Sequence, residues 1–151
     1  MSSRQPVDRQ RIEQFLQRLG ERFRRPGRVY LVGGTTMVFE GLRAQSLDID
    51  LTFDVSPEDH AAIVQAIREL KDQLALNIEE VSPGDFIPLP AGYRERAVFV
   101  GRYGQLDVFH FDFYSTVLSK IARGTEEDLN DVLAFSLSAN NANEREYKNL
   151  A

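Results

Sequence analysis

The chain contains no cysteine, only two histidines and no apolar run long enough to span a membrane. The first absence removes disulfide frameworks and thiolate–metal sites, and it fits a reducing compartment. The second leaves little room for imidazole chemistry, and His110, with no partner at ligand spacing, reads as a structural residue. The third gives no indication of membrane insertion, and the polar, Arg-rich amino terminus, without an apolar core, gives none of secretion. The expectation is a cytoplasmic protein. No internal repeat, low-complexity block or linker divides the 151 residues, so a single domain is expected over residues 1–138, followed by a polar tail at 139–151.

Positive charge is scarce overall, with a net −5, yet it is concentrated at one end. Residues 1–28 hold eight arginines against Asp8, Glu13 and Glu21. Such asymmetry marks either contact with a nucleic acid or a solvated arginine face on a helix. Few exposed aromatics accompany these arginines, so base stacking is not indicated there and the solvated face is the expected reading.

What the chain does have is one dense stretch, VYLVGGTTMVFEGLRAQSLDIDLTF, from Val29 to Phe53. Val29, Tyr30, Leu31 and Val32 form a buried-strand run cut off by Gly33 and Gly34. Met37, Val38, Gly41 and Leu42 then fall at helical spacing, with Thr35 or Thr36 as cap. Paired glycines at a helix start offer backbone N–H groups to an anion, aided by the helix dipole. In the next strand Leu47, Ile49, Leu51 and Phe53 alternate with Asp48, Asp50 and Thr52. Alternation puts both carboxylates on one face, roughly 7 Å apart, where like charges repel unless a cation lies between them. Hard oxygen ligands of this kind suit Mg²⁺, which completes its shell with water and substrate phosphate.

This order of strand, Gly-Gly turn, helix and Asp-x-Asp strand resembles the nucleotidyltransferase superfamily with a DNA polymerase beta-like core. Ser46-Leu47-Asp48-Ile49-Asp50, Lys120-Ile121-Ala122-Arg123 and Asp128-Leu129-Asn130-Asp131 are similar to motifs of its small bacterial branch related to abortive-infection toxins. The resemblance touches the chain from about Val29 to Leu133 and implies an α/β fold, a mixed sheet of four or five strands with helices mainly on one face. It implies Asp48 and Asp50 as catalytic metal ligands, and a third carboxylate on a later strand. Asp107, in Leu106-Asp107-Val108, has the apolar-Asp-apolar form for that role; Asp112 is the rival, although it sits where a helix needs a cap. The resemblance further implies that Gly33, Gly34 and Thr35 grip a nucleoside triphosphate and that Lys120 adds positive charge. The implied acceptor is RNA or protein, and the implied setting a toxin–antitoxin pair. Two other readings stand beside this one: a catalytically weak or inactive relative that works by binding a protein partner, and a nucleic-acid module using the first helix.

Elsewhere the pattern predicts a first helix capped by Asp8, with Ile12, Phe15, Leu16, Leu19 and Phe23 on one face. Ser56-Pro57-Glu58-Asp59 opens a second long helix carrying Ile63, Ile67, Leu70 and Leu74. A short strand follows near Leu76 to Val81, then an irregular loop rich in proline and glycine from Ser82 to Gly92, expected to pack over the sheet edge. Arg94 to Arg102 and Gln105 to Phe111 read as a hairpin. Asp112 caps the helix that carries Lys120, Gly124 ends it, and Thr125 to Asp128 opens a last helix in which Asp128 and Asp131 read as capping and surface groups.

Overall fold

The computed structural model describes residues 6–134; the expected tail at 139–151 lies outside them. Helix α1 (Arg9–Arg22) starts where the Asp8 side chain accepts the Arg11 amide, and it buries Ile12, Phe15, Leu16 and Leu19. Strand β1 (Gly27–Leu31) leads into α2 (Gly33–Phe39), and β2 (Asp48–Val55) runs back alongside β1. A 3-10 turn at Pro57–Asp59 feeds α3 (His60–Gln73), followed by β3 (Asn77–Glu80). Strands β4 (Val98–Tyr103) and β5 (Leu106–His110) form the expected hairpin, and α4 (Phe113–Arg123) follows. Gly124, at φ 69°, ends α4 in the left-handed conformation that a side chain disfavours. Residues 126–134 are helical again.

The five strands form one mixed sheet in the order β3-β2-β1-β5-β4. The neighbours β1 and β2 are antiparallel, with Leu31 opposite Leu51, while β1 and β5 are parallel, with Leu31 opposite His110. Strand β3 lies parallel to β2, pairing Asp48 with Asn77 and Asp50 with Glu79. Alternation along these strands sorts the side chains by face. Val29, Leu31, Ile49, Leu51, Leu106 and Val108 turn to the core, where they meet Phe15 and Leu19 of α1 and Ile63 and Leu70 of α3. Each fully buried side chain of this kind contributes about 1.5–3 kcal/mol. The close approach of α1 depends on Gly20, since a Cβ there would lie 2.5 Å from the Tyr103 carbonyl oxygen.

The opposite face carries Tyr30, Asp48, Asp50, Thr52, Phe109 and Phe111, and it is roofed by the segment 82–97 instead of by a long helix. Phe109 and Phe111 therefore do not enter the main core: Phe109 stacks on Tyr30 at 5.6 Å, and Phe111 meets Tyr30 edge-on at 5.9 Å. The loop after β3 is more ordered than its composition suggests. Ser82 and Asp85 satisfy each other's backbone amides in a capping box around a 3-10 turn at Pro83–Asp85.

Three local expectations are corrected. Neither Thr35 nor Thr36 caps α2, whose N-cap is Val32 with no side-chain hydrogen bond. Both hydroxyls bond to strands instead, Thr36 donating to the Leu31 carbonyl at 3.0 Å and Thr35 accepting the Asp50 amide at 2.7 Å. Leu47 does not join the buried alternation; it precedes β2 and is 75% exposed. Asp128 and Asp131 are buried, at 4% exposure each, not surface groups. Their burial is tolerable because Lys120, Arg43 and Arg123 surround them with positive charge. His110 is structural as expected: it is buried, its ring nitrogens contact Thr36 Oγ1 at 3.0 Å and Glu40 Oε1 at 2.5 Å, and burial holds its pKa below the ordinary value.

Candidate functional site

Asp48 and Asp50 lie on the side of β2 turned away from α1 and α3, and the parallel pairing with β3 brings Glu79 onto the same side directly beside Asp50. One carboxylate oxygen from each of Asp48, Asp50 and Glu79 lies within 4.8 Å of the others. They line a cleft of about 220 Å³ whose other walls include Gly33, Gly34, Lys120, Arg123 and Phe86. Burial, reinforced by the neighbouring Asp48 and Glu79 carboxylates, pushes the Asp50 pKa up to about 6, against a smaller opposing pull from Lys120 and Arg123. Three converging carboxylates, one of them reluctant to ionise, are what a divalent cation with oxygen ligands would relieve. The donor set therefore fits Mg²⁺.

Gly33 forms the turn at the edge of this cleft. Its φ is +56°, a conformation that favours glycine, and a Cβ there would lie 3.9 Å from both Asp50 Oδ2 and Lys120 Nζ. The glycine thus sits between the carboxylate and the ammonium, leaving the space between them open. Lys120 reaches this point from α4 while almost fully buried, its Nζ donating to Asp131 Oδ2 at 2.6 Å and lying 3.5 Å from Asp128 Oδ1. Asp131 also bonds Arg43, and Asp128 pairs with Arg123 at 3.4 Å. Burial alone would raise the Asp128 pKa, but the hydrogen bond from Thr125 and the charges of Arg123 and Lys120 outweigh it and hold the group below the ordinary range. Residues 126–134 in this way fix the cation that faces the carboxylates.

Sequence-predicted residues divide into three groups. The fold brings Asp48, Asp50, Gly33, Gly34 and Lys120 to one cleft. Thr35 stands beside it but is completely buried, with its hydroxyl bound to the Asp50 amide, so it holds β2 in place instead of facing the opening. Asp107 is not brought in. It shares the face, yet it pairs with Arg28 near the start of β1, and Arg28 in turn pairs with Asp54. Asp54 lies four positions beyond Asp50, about 13 Å along the strand, and β1 intervenes as well. Asp107 lies 4.0 Å from Arg102 instead. Asp112 is committed elsewhere too: it caps α4 by accepting the Tyr114 and Ser115 amides, and it takes a two-pronged bond from Arg96 at 3.0 and 2.8 Å. Burial would raise its pKa, but those donors hold it below the usual carboxylate range.

Glu79 is the residue that sequence reasoning missed. Its signal was present in Leu76-Asn77-Ile78-Glu79, where buried Leu76 and Ile78 put Asn77 and Glu79 on the other face. What the alternation did not reveal was that β3 would lie beside β2 in register. Arg43, Asp128 and Asp131 were likewise invisible as a unit, because they converge only once the last helical turns fold against α4.

A second cavity of about 250 Å³ adjoins the cleft on the same face, walled by Tyr30, Tyr93, Phe111, Thr52 and Asp54 among others. Ser82 lines both. Among the described residues no helix is long and apolar enough to cross a membrane. Neither a curated relative nor a solved structure matches the chain. A family model does match, over residues 10–144, and so includes every residue of the acidic cleft and its cationic wall. The chain belongs to that family, described as nucleotidyltransferase of unknown function (DUF6036).

Proposed function

We propose that the protein is an Mg²⁺-dependent nucleotidyltransferase that moves a nucleoside monophosphate from a nucleoside triphosphate to an acceptor hydroxyl on RNA or protein. The observation that carries this reading is the convergence of Asp48, Asp50 and Glu79 opposite Lys120 in one cleft. Asp48, Asp50 and Glu79 would hold the metal, with Glu79 in the third-carboxylate role that the resemblance implied for Asp107. Bound magnesium supplies a lowered pKa for the attacking hydroxyl and charge balance for the departing pyrophosphate. Lys120 and Arg123 place positive charge on the triphosphate side, and their buried acidic partners keep the lysine from swinging away. Gly33 and Gly34 leave the backbone open to approach by phosphate. In the transfer, the acceptor oxygen bonds to the α-phosphorus, the bond to pyrophosphate breaks, and the hydroxyl proton passes to a carboxylate of the cleft.

The resemblance to abortive-infection toxin relatives supports a setting within a toxin–antitoxin pair, with a cognate protein partner that would co-purify in stoichiometric amount. The test of the reaction is incubation of the purified protein with each α-³²P-labelled nucleoside triphosphate, Mg²⁺ and host lysate. Label is expected on a discrete RNA or protein band with the wild type. It should fall to background in Asp48→Asn/Asp50→Asn and in Glu79→Gln, whereas Asp107→Asn should transfer normally. Undiminished Mg²⁺-dependent triphosphate binding by the double variant sinks the reading.

A further inference from the structure

The aromatic cavity beside the acidic cleft has no role in the chemistry described so far. It opens on the same face of the sheet, and its wall residue Thr52 lies two positions beyond Asp50 on β2, roughly 7 Å along the strand. The two cavities meet at Ser82, which the capping box with Asp85 holds rigid. Four aromatic side chains line the second cavity, Tyr30, Phe53, Tyr93 and Phe111. Tyr93 and Phe111 stack at 5.7 Å with a 15° angle between planes, and Tyr30 meets Phe111 at 5.9 Å and 70°. Polar groups of opposite kind line it as well: the Asp54 carboxylate and Thr52 hydroxyl can accept, Asp112 is already paired with Arg96, and the Arg94 guanidinium can only donate. Arg94 also lies 5.7 Å over the Tyr93 ring and donates to its hydroxyl at 3.1 Å.

Flat aromatic walls with a carboxylate at the edge are the chemistry that recognises a nucleobase: the ring stacks, and an exocyclic amino group donates to the carboxylate. A purely aliphatic ligand would leave the Asp54 carboxylate without a donor, and a free phosphate would meet it unfavourably. We propose that this cavity is a nucleobase subsite, placed one sugar's reach from the acidic cleft. The inference rests on the transferase reading for its place in the reaction, but the binding it asserts needs no metal. Two sources supply a nucleobase at this position, the donor triphosphate itself or the terminal nucleoside of an acceptor strand.

The test is saturation-transfer NMR of the four ribonucleosides with the full-length protein in EDTA. Ring protons should receive more saturation than ribose protons, with adenosine, cytidine and guanosine favoured over uridine through Asp54. Tyr93→Ala should weaken binding by about tenfold, the size of one lost stacking contact, and Asp54→Asn should erase the preference for amino-bearing bases. Absence of transfer from the wild type, or unchanged transfer to folded Tyr93→Ala, overturns the proposal. Adding Mg²⁺ and a non-hydrolysable α,β-methylene triphosphate separates the sources. Displacement of the nucleoside assigns the cavity to the donor's base, and simultaneous occupancy assigns it to the acceptor's. Nucleoside binding without any Mg²⁺-dependent triphosphate binding would uphold the subsite and remove the transferase reading; the converse would remove the subsite alone.

Discussion

Ile49 and Asp50 are neighbours on one strand and answer to opposite demands. Ile49 and Leu51 are almost wholly buried in the apolar core that α1 and α3 complete. Asp48 and Asp50, on the other face, stand with Glu79 in an arrangement that like charge opposes. The pleat of β2 is all that separates them. One face therefore supplies the rigidity that lets the other keep mutually repelling groups in place, and sites built this way gain stability when they are dismantled.

The largest effect expected from breaking this comparison is on the apolar side. Leu51→Ala should cost about 2–5 kcal/mol, because the methyl groups removed leave a cavity between the sheet and two helices. Urea denaturation read by circular dichroism measures it. Asp50→Asn should act in the other direction. The folded-state pKa of about 6 lies above the ordinary 3.8, so the folded protein binds the proton more tightly than the unfolded chain. The corresponding stability is fully present below about pH 3.8 and is lost as pH rises through 6. At pH 7.5 the substitution should recover up to about 3 kcal/mol, and at pH 4 almost nothing. Magnesium should raise the wild-type melting temperature at pH 7.5 and leave that of the variant unchanged. A variant less stable than wild type at pH 7.5 would show that the repulsion is not the dominant cost on this face.

The same comparison shows what could be read from the chain alone. Period-two alternation around Asp48 and Asp50, the Gly-Gly break and the caps at Asp8 and Asp112 are local signals, each contained within a few residues, and the mixed α/β sheet was implied by the family resemblance that some of them carry. The third member of the acidic cluster is a matter of which strands become neighbours. Asp107 has the expected local form, but parallel pairing of β5 with β1 carries it to the far end of the face, while the pairing of β3 with β2 delivers Glu79. Lys120 was legible as a cation through resemblance, but its burial was not. That burial depends on Asp128 and Asp131, eight and eleven residues further along, folding back against α4.

The smallest expected effect concerns the arginine-rich first helix, for which composition favoured a solvated face over contact with an anionic partner. Several arginines in this helix and just after it are engaged within the molecule. Arg22 bonds Glu69 at 3.1 Å and Gln73 at 2.8 Å on α3, Arg11 donates to the Leu74 carbonyl at 2.6 Å, and Arg25 pairs with Asp59 at 3.2 Å. These contacts brace the two long helices on the covered face, but they are partly solvated, and exposed pairs contribute little. Arg22→Ala should cost less than about 1 kcal/mol, with the difference from wild type shrinking further at high salt. A loss several times larger, approaching that of Leu51→Ala, would mean that the bracing charges and not the apolar contacts hold α1 to α3, and the contrast between the two faces of β2 would need a different foundation.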